Sequence, residues 1–133
     1  MKFNRHSLQA TLFDATSTFA ELGYKFKLPI YIIPKKRMSS LGTWQNGVTE
    51  NGREFHLITI NSTEINSFED LQDTIHHELI HAMQHEKGLD VAHGSFFCDW
   101  VIELGSRGIN TGCEDISVSQ LQEAVIRRSN LTR

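Results

Sequence analysis

The sequence has little that would staple, divide or anchor a chain. Its two cysteines, Cys98 and Cys113, exclude a disulfide framework and a four-cysteine zinc ribbon, and make a reducing compartment the default. Its two prolines, Pro29 and Pro34, bracket one short segment, so no proline-rich linker splits the chain. No apolar run approaches the ~20 residues that a membrane-spanning helix needs. Residues 1–6, Met-Lys-Phe-Asn-Arg-His, lead into a mixed amphipathic stretch without the apolar core of a secretory signal. A cytoplasmic protein without membrane contact is therefore expected. Neither sign of charge dominates. The net charge of −3 argues against a polybasic nucleic-acid clamp, though not against a local basic patch. Internal repeats and low-complexity runs are also missing. With 39% apolar and 22% charged residues in 133, one globular domain over residues 1–133 is expected. The sequence does not speak to its oligomeric state.

The patterning gives an α+β order. Leu8, Leu12, Ala15, Phe19 and Leu22 mark one face of a helix over about residues 5–22, stopped by Gly23. Residues 28–34 read as an edge or first strand between the two prolines. A short second strand is expected over residues 38–44. Asn46-Gly47 and Asn51-Gly52 then give two hairpin signals, because both residue types tolerate positive φ. Residues 54–60 carry apolar side chains on both faces, which suits an interior strand. Ser67 looks like the N-cap of a helix running to about Glu86, with Gly88 as its stop. Two more helices are expected, over about residues 94–104 and 117–129. The result is a small, mostly antiparallel sheet of about three strands, one helix before it and three after it.

Histidine is what the chain has in excess: seven in all, five of them within residues 76–93. His77-Glu78-Leu79-Ile80-His81 is an H-E-x-x-H motif. With this composition chance alone supplies such a motif in roughly one sequence in 40, so context has to decide whether it is a site. On a wheel of about 100° per residue, Leu71, Ile75, Leu79 and Ala82 cluster around Phe68, and His77 and His81 fall on the opposite face. The two imidazoles stand one turn apart, within reach of one metal ion. Glu78 flanks them, where a carboxylate can take a proton from a metal-bound water.

A catalytic metal of the zinc type needs a third protein ligand and an open fourth position. His85 lies about 12 Å of helix rise from His77, too far to close the same site, and reads as cleft lining or exposed. His76 faces about 100° away and reads as a satisfied, partly buried side chain. Glu103 on the next helix and His93 at its start are the remaining candidates. His93 is preferred, because the loop after Gly88 can return over the His77 and His81 face, and Glu103 stays open. The longer metzincin spacing fails, since its third histidine would fall on Lys87.

His77-Glu78-Leu79-Ile80-His81-Ala82, an intervening loop, and then His93-Gly94-x-x-Phe97 resemble the SprT-like zinc metalloprotease domain, the group that includes the Spartan-type proteases of DNA–protein crosslinks. The upstream Gly42, the strand ending Ile58-Thr59-Ile60-Asn61 and the acidic segment before the motif are similar too. The likeness covers roughly residues 5–105, and the His-Gly-x-x-Phe continuation is its most specific part. It implies a zincin-like fold, Zn2+ on His77, His81 and His93, and Glu78 as the general base of peptide-bond hydrolysis. It also implies that Phe97 packs the His93 loop, and that the substrate is protein or peptide lying along an edge strand from residues 38–44 or 54–60. Tyr31 and His85 are candidates for a further oxyanion donor. The chain departs from members that append a zinc ribbon or DNA-binding motifs, which weakens any inherited dependence on DNA.

Lys25, Lys27, Lys35, Lys36 and Arg37 surround the first strand. They read better as the protection of a sheet edge than as a phosphate patch. Trp44 can stack on a base or pack in its hairpin. Cys98 reads as a small buried residue. Two functions of different class follow: a zinc endopeptidase, or a zinc-stabilised module that binds DNA or protein without cleaving it. Glu78 favours the first, because a closed structural site holds four protein ligands and needs no base.

Overall fold

Asn4 opens the first helix. Its side chain accepts the Ser7 backbone N–H at 2.8 Å, and its own N–H donates to the Ser7 hydroxyl at 3.1 Å, a reciprocal capping box. The helix, α1, spans Arg5–Glu21 and buries Leu8, Leu12, Ala15 and Phe19 along the expected stripe. Gly23, at φ 97°, turns the chain out of it. The computed structural model of the chain describes residues 3–111. The helix expected over residues 117–129, and Cys113, lie outside the described residues.

Three strands follow: β1 (Ile30–Lys35), β2 (Gly42–Val48) and β3 (Glu54–Asn61), in the order β1-β3-β2. β3 is the interior strand. The α+β class holds, and the sheet is mixed: β1 runs parallel to β3, with Ile32 beside Ile58, and β2 runs antiparallel, with Trp44 beside Ile58. The mostly antiparallel expectation missed the crossing. Residues 36–41 carry the chain from one edge to the other, so only β2 and β3 form a hairpin. Only the second Asn-Gly pair makes its turn. There Gly52 adopts φ 83° and donates its N–H to the Thr49 carbonyl at 2.9 Å. Asn46 and Gly47 lie inside β2 instead, which therefore starts and ends later than the expected 38–44. The Phe55 ring lies over Gly47, so a Cβ there would require that ring to move.

Ser67 caps α2 (Phe68–Glu86), its side chain accepting the Asp70 N–H at 3.1 Å. Leu71, Ile75, Leu79 and Met83 pack with Phe19, Ile58 and Ile60 in the core. The opposite face is not a solvated one: His76, His77, Glu78, His81 and Gln84 are buried too. Helix α3 (Ser95–Gly105) adds Phe97, Cys98 and Leu104 to the interior. No helix among the described residues is long and apolar enough to cross a membrane.

The side chain of the last residue of α2, Glu86, is buried as well. Its carboxylate accepts the Tyr24 hydroxyl at 2.7 Å, the Lys27 N–H at 2.9 Å, the Leu28 N–H at 3.1 Å and His56 Nε2–H at 2.8 Å. His56 Nδ1 accepts the Trp44 indole N–H at 3.0 Å. An indole only donates, so the proton of neutral His56 must sit on Nε2 and point at Glu86. Burial holds His56 below its usual pKa, against the pull of Glu86. Burial alone would raise Glu86, but the hydrogen bonds from Lys27, His56, Tyr24 and Leu28 outweigh it and hold the carboxyl below its usual range. Burial and then Glu86 push the Tyr24 hydroxyl up.

Both His56 and Glu86 make the fold sensitive to acid. Below about pH 6.5 the unfolded chain binds a proton at His56 that the folded chain resists, and below about 4.5 the same holds for Glu86. Stability should fall as pH drops through these windows. Urea midpoints followed with pH should fall from 6.5 downward in the wild type, and less steeply in His56→Gln. Equal slopes in the two proteins would contradict this account.

Candidate metal centre

His77 and His81 are one turn apart on α2. The chain then reverses at Gly88, φ 70°, where the Leu89 N–H donates back to the Gln84 carbonyl at 2.9 Å. Gln84 holds the return path with its side-chain N–H donating to the Ala92 carbonyl at 2.8 Å. His93 thereby comes over the face of α2. Its Nε2 lies 3.1 Å from His77 Nε2 and 3.2 Å from His81 Nε2, and the three ligand atoms all fall within 4.8 Å of one another.

Second partners fix which nitrogen carries the proton. His77 Nδ1 lies 3.2 Å from the Thr111 carbonyl, which can only accept, so Nδ1 is the donor. His81 Nδ1 lies 2.9 Å from Gln84 Oε1. The Gln84 amide is oriented by its own bond to Ala92, so Oε1 accepts. Both Nε2 atoms therefore present lone pairs toward His93. One proton on His93 Nε2 can serve only one of them, whereas a cation serves all three. For an ion about 2.0–2.1 Å from each imidazole at tetrahedral angles the nitrogens stand about 3.4 Å apart, close to what is seen here. Three neutral imidazoles suit zinc and other first-row transition metals. The residues fit a metal ion.

Phe97 forms the floor. Its buried ring lies 4.8 Å from His77, 5.0 Å from His81 and 4.7 Å from His93, centroid to centroid. Glu78 stands at the side, its Oε1 4.0 Å from His77 Nε2. Above lies an open cleft of about 740 Å³, between α2 and β2, lined also by Ser40, Gly42, Trp44, Asn61 and Thr74. Gly42 lets β2 approach: a Cβ there would sit 2.5 Å from Thr74 Cγ2 and 3.6 Å from Glu78 Cγ.

The other candidates lie elsewhere. Glu103 is not part of the histidine cluster, and its Oε1 is 3.7 Å from Arg107 Nε. His85 is partly exposed, 3.3 Å from Glu54 Oε1 and packed against Trp44. His76 is buried against Phe19 with Nδ1 3.1 Å from the Asn110 carbonyl, and burial lowers its pKa. Tyr31 is exposed on β1 and packs on Phe55. Neither Tyr31 nor His85 lines the cleft. Sequence reasoning overlooked Gln84, although its spacing of three from His81 places the two side by side on a helix. It had no means of finding the Asn110 and Thr111 carbonyls, which carry no side-chain signature.

Gln84 joins one imidazole to the loop that delivers another. Gln84→Leu keeps the volume and removes both hydrogen bonds, so it should weaken metal binding by about 10–100-fold. His93→Ala should weaken it further. Competition with a chromophoric chelator measures both. An unchanged affinity in Gln84→Leu would remove that residue from the site.

No curated protein and no solved structure matches the chain significantly. A family model does: that of the SprT-like family, over residues 12–120, which takes in the C-terminal part of α1, the whole sheet, the three histidines, Glu78 and Phe97. By that match over most of its length, the chain belongs to the SprT-like family.

Proposed function

We propose that the chain is a zinc-dependent endopeptidase. The observation that carries this reading is the placement of the Glu78 carboxylate beside three converging imidazoles, at the wall of an open cleft that has a strand edge on its other side. Zinc fits the donor set, and among the described residues only the three histidines group as ligands, which leaves a coordination position for chemistry. When bound, zinc supplies Lewis acidity, which acidifies a water and polarises a carbonyl.

The chain's own residues do the rest. Thr111 and Gln84 hold His77 and His81 in the tautomers that present Nε2. Phe97 closes the site from below and keeps water out of the core side. Glu78 accepts the proton of the attacking water and passes it to the leaving amine. β2 is an edge strand, and an extended peptide can add to its open side through backbone hydrogen bonds. Of the two candidate segments it is the residues around Gly42–Trp44 that border the cleft, since β3 is interior.

The substrates are proteins, with proteins held on DNA as the class that the resemblance suggests. Lys25, Lys27, Lys35, Lys36 and Arg37 are exposed around β1 and lead into the cleft-lining residues 38–41. The two cysteines suit a cytoplasmic setting.

Incubation of the zinc-loaded chain with a DNA-binding protein, with and without single-stranded DNA, tests this. The wild type should cut, and Glu78→Gln should lose about 10²–10⁴-fold of the rate while keeping its zinc. Stimulation by DNA would support the DNA-bound substrate class, and indifference to DNA would discard it. Zinc binding with no cleavage of any protein would favour a non-cleaving binding module.

A further inference from the structure

We infer that Trp44 is a specificity-determining residue that selects a large apolar or aromatic substrate side chain about two residues from the bond to be cut. The inference rests on the peptidase reading of the cleft. It starts from the way the indole is held. Trp44 is half-buried, and its N–H is committed inward to His56 Nδ1 at 3.0 Å, while His56 is itself locked to Glu86 at 2.8 Å. The ring is braced by His85, with centroids 5.3 Å apart. What it leaves for the cleft is rigid aromatic surface with no unspent donor.

Position gives the rest. Gly42 and Trp44 are two residues apart on one strand, so they face the same side, about 6–7 Å from each other. Gly42 lies beside Glu78, so the reacting bond belongs near Gly42. A peptide paired to the open edge of β2 turns every second side chain toward the cleft. The one opposite Trp44 comes within about 4.5–5.5 Å, Cβ to Cβ, the range in which cross-strand aromatic pairs form. The cleft beyond Gly42 is built differently: Met38, Ser39, Ser40, Leu41, Asn61 and Glu64 line it, a mixed surface with no aromatic ring. Selectivity that depends on an aromatic platform should therefore appear on one side of the scissile bond only.

The test uses two fluorescent peptide series that place Phe, Leu, Ala or Asp two residues to either side of the cleaved bond. Their affinities for the zinc-loaded Glu78→Gln chain are measured by polarisation, so no turnover is needed. On one side, Phe and Leu should bind about fivefold to tenfold better than Ala. Trp44→Ala should bring that ratio close to one, and Trp44→Phe, which keeps a ring, should keep most of it. The zinc content of each variant reports an intact site. A preference that persists in Trp44→Ala, or no preference on either side, overturns the inference. Preferential binding that Trp44→Ala abolishes, together with a wild type that cuts none of these peptides, would overturn the peptidase reading and leave Trp44 as the selector of a peptide-binding cleft.

Discussion

The structure depends on the burial of a polar helix. Over its second half α2 carries His76, His77, Glu78, His81, Gln84 and Glu86 into the protein interior. A buried polar group left without a partner costs about 1–3 kcal/mol, so such a helix is stable only if its surroundings are arranged to satisfy it. The surroundings here are so arranged. Backbone carbonyls of Asn110 and Thr111 take the Nδ1 protons of His76 and His77, and Ala92 takes that of the Gln84 amide. The backbone N–H groups of Lys27 and Leu28 serve Glu86. Segments without regular structure thus owe their paths to the helix they wrap. The Nε2 atoms of His77 and His81 converge with that of His93. The candidate metal centre is where two imidazoles of this polar face meet a third from the loop that follows it.

The same constraint shapes the sheet. β3 is interior, and His56 inside it is buried and reaches Glu86 at the end of α2. β2 then falls on the outer edge, above the histidines, with its backbone brought close by the missing side chain of Gly42. Its placement gives the cleft one rigid wall from the helix and one from an edge strand. Trp44 connects the two walls, since it belongs to β2 and is tied through His56 to Glu86 of α2. The site is therefore held at two points along one helix: through Phe97 and the 92–93 loop at the histidines, and through Glu86 at its C-terminal end.

Local signals made the helices legible. The stripe of Leu8, Leu12, Ala15 and Phe19, the Ser67 cap and the glycine stops at Gly23 and Gly88 act over a few residues, and the structure keeps them. The sheet was less legible, because strand pairing is decided at long range. Asn46-Gly47 has turn chemistry, yet the cover that Phe55 gives Gly47 from the neighbouring strand makes it part of β2. The parallel pairing of β1 with β3 rests on where residues 36–41 cross, and nothing in that segment announces it. In the site, side chains with a motif spacing could be read and backbone partners could not. His77, His81 and His93 stood out, while the carbonyls that fix their tautomers have no identity in a sequence. The His56–Glu86 pair was hidden because its members are 30 residues apart and each alone looks like an ordinary surface residue.

A helical wheel set the histidines opposite the apolar stripe, which on most helices means solvent. Here that face is buried, and hydropathy cannot distinguish a polar face turned to water from one turned to hydrogen-bonding partners. The composition of the face carries the distinction. A solvated face is built from Lys and Glu, whose flexible side chains lose much entropy when they are fixed. The buried face of α2 uses imidazole and amide groups, which are compact, rigid and able to donate from one atom while accepting at another. Each such group passes a constraint from one partner to the next, as Gln84 does between His81 and Ala92, and as His56 does between Trp44 and Glu86. A helix face rich in His and Gln and poor in Lys is thus a sign of polar burial. In this chain it marks both the histidine cluster and the lock that holds the cleft wall beside it.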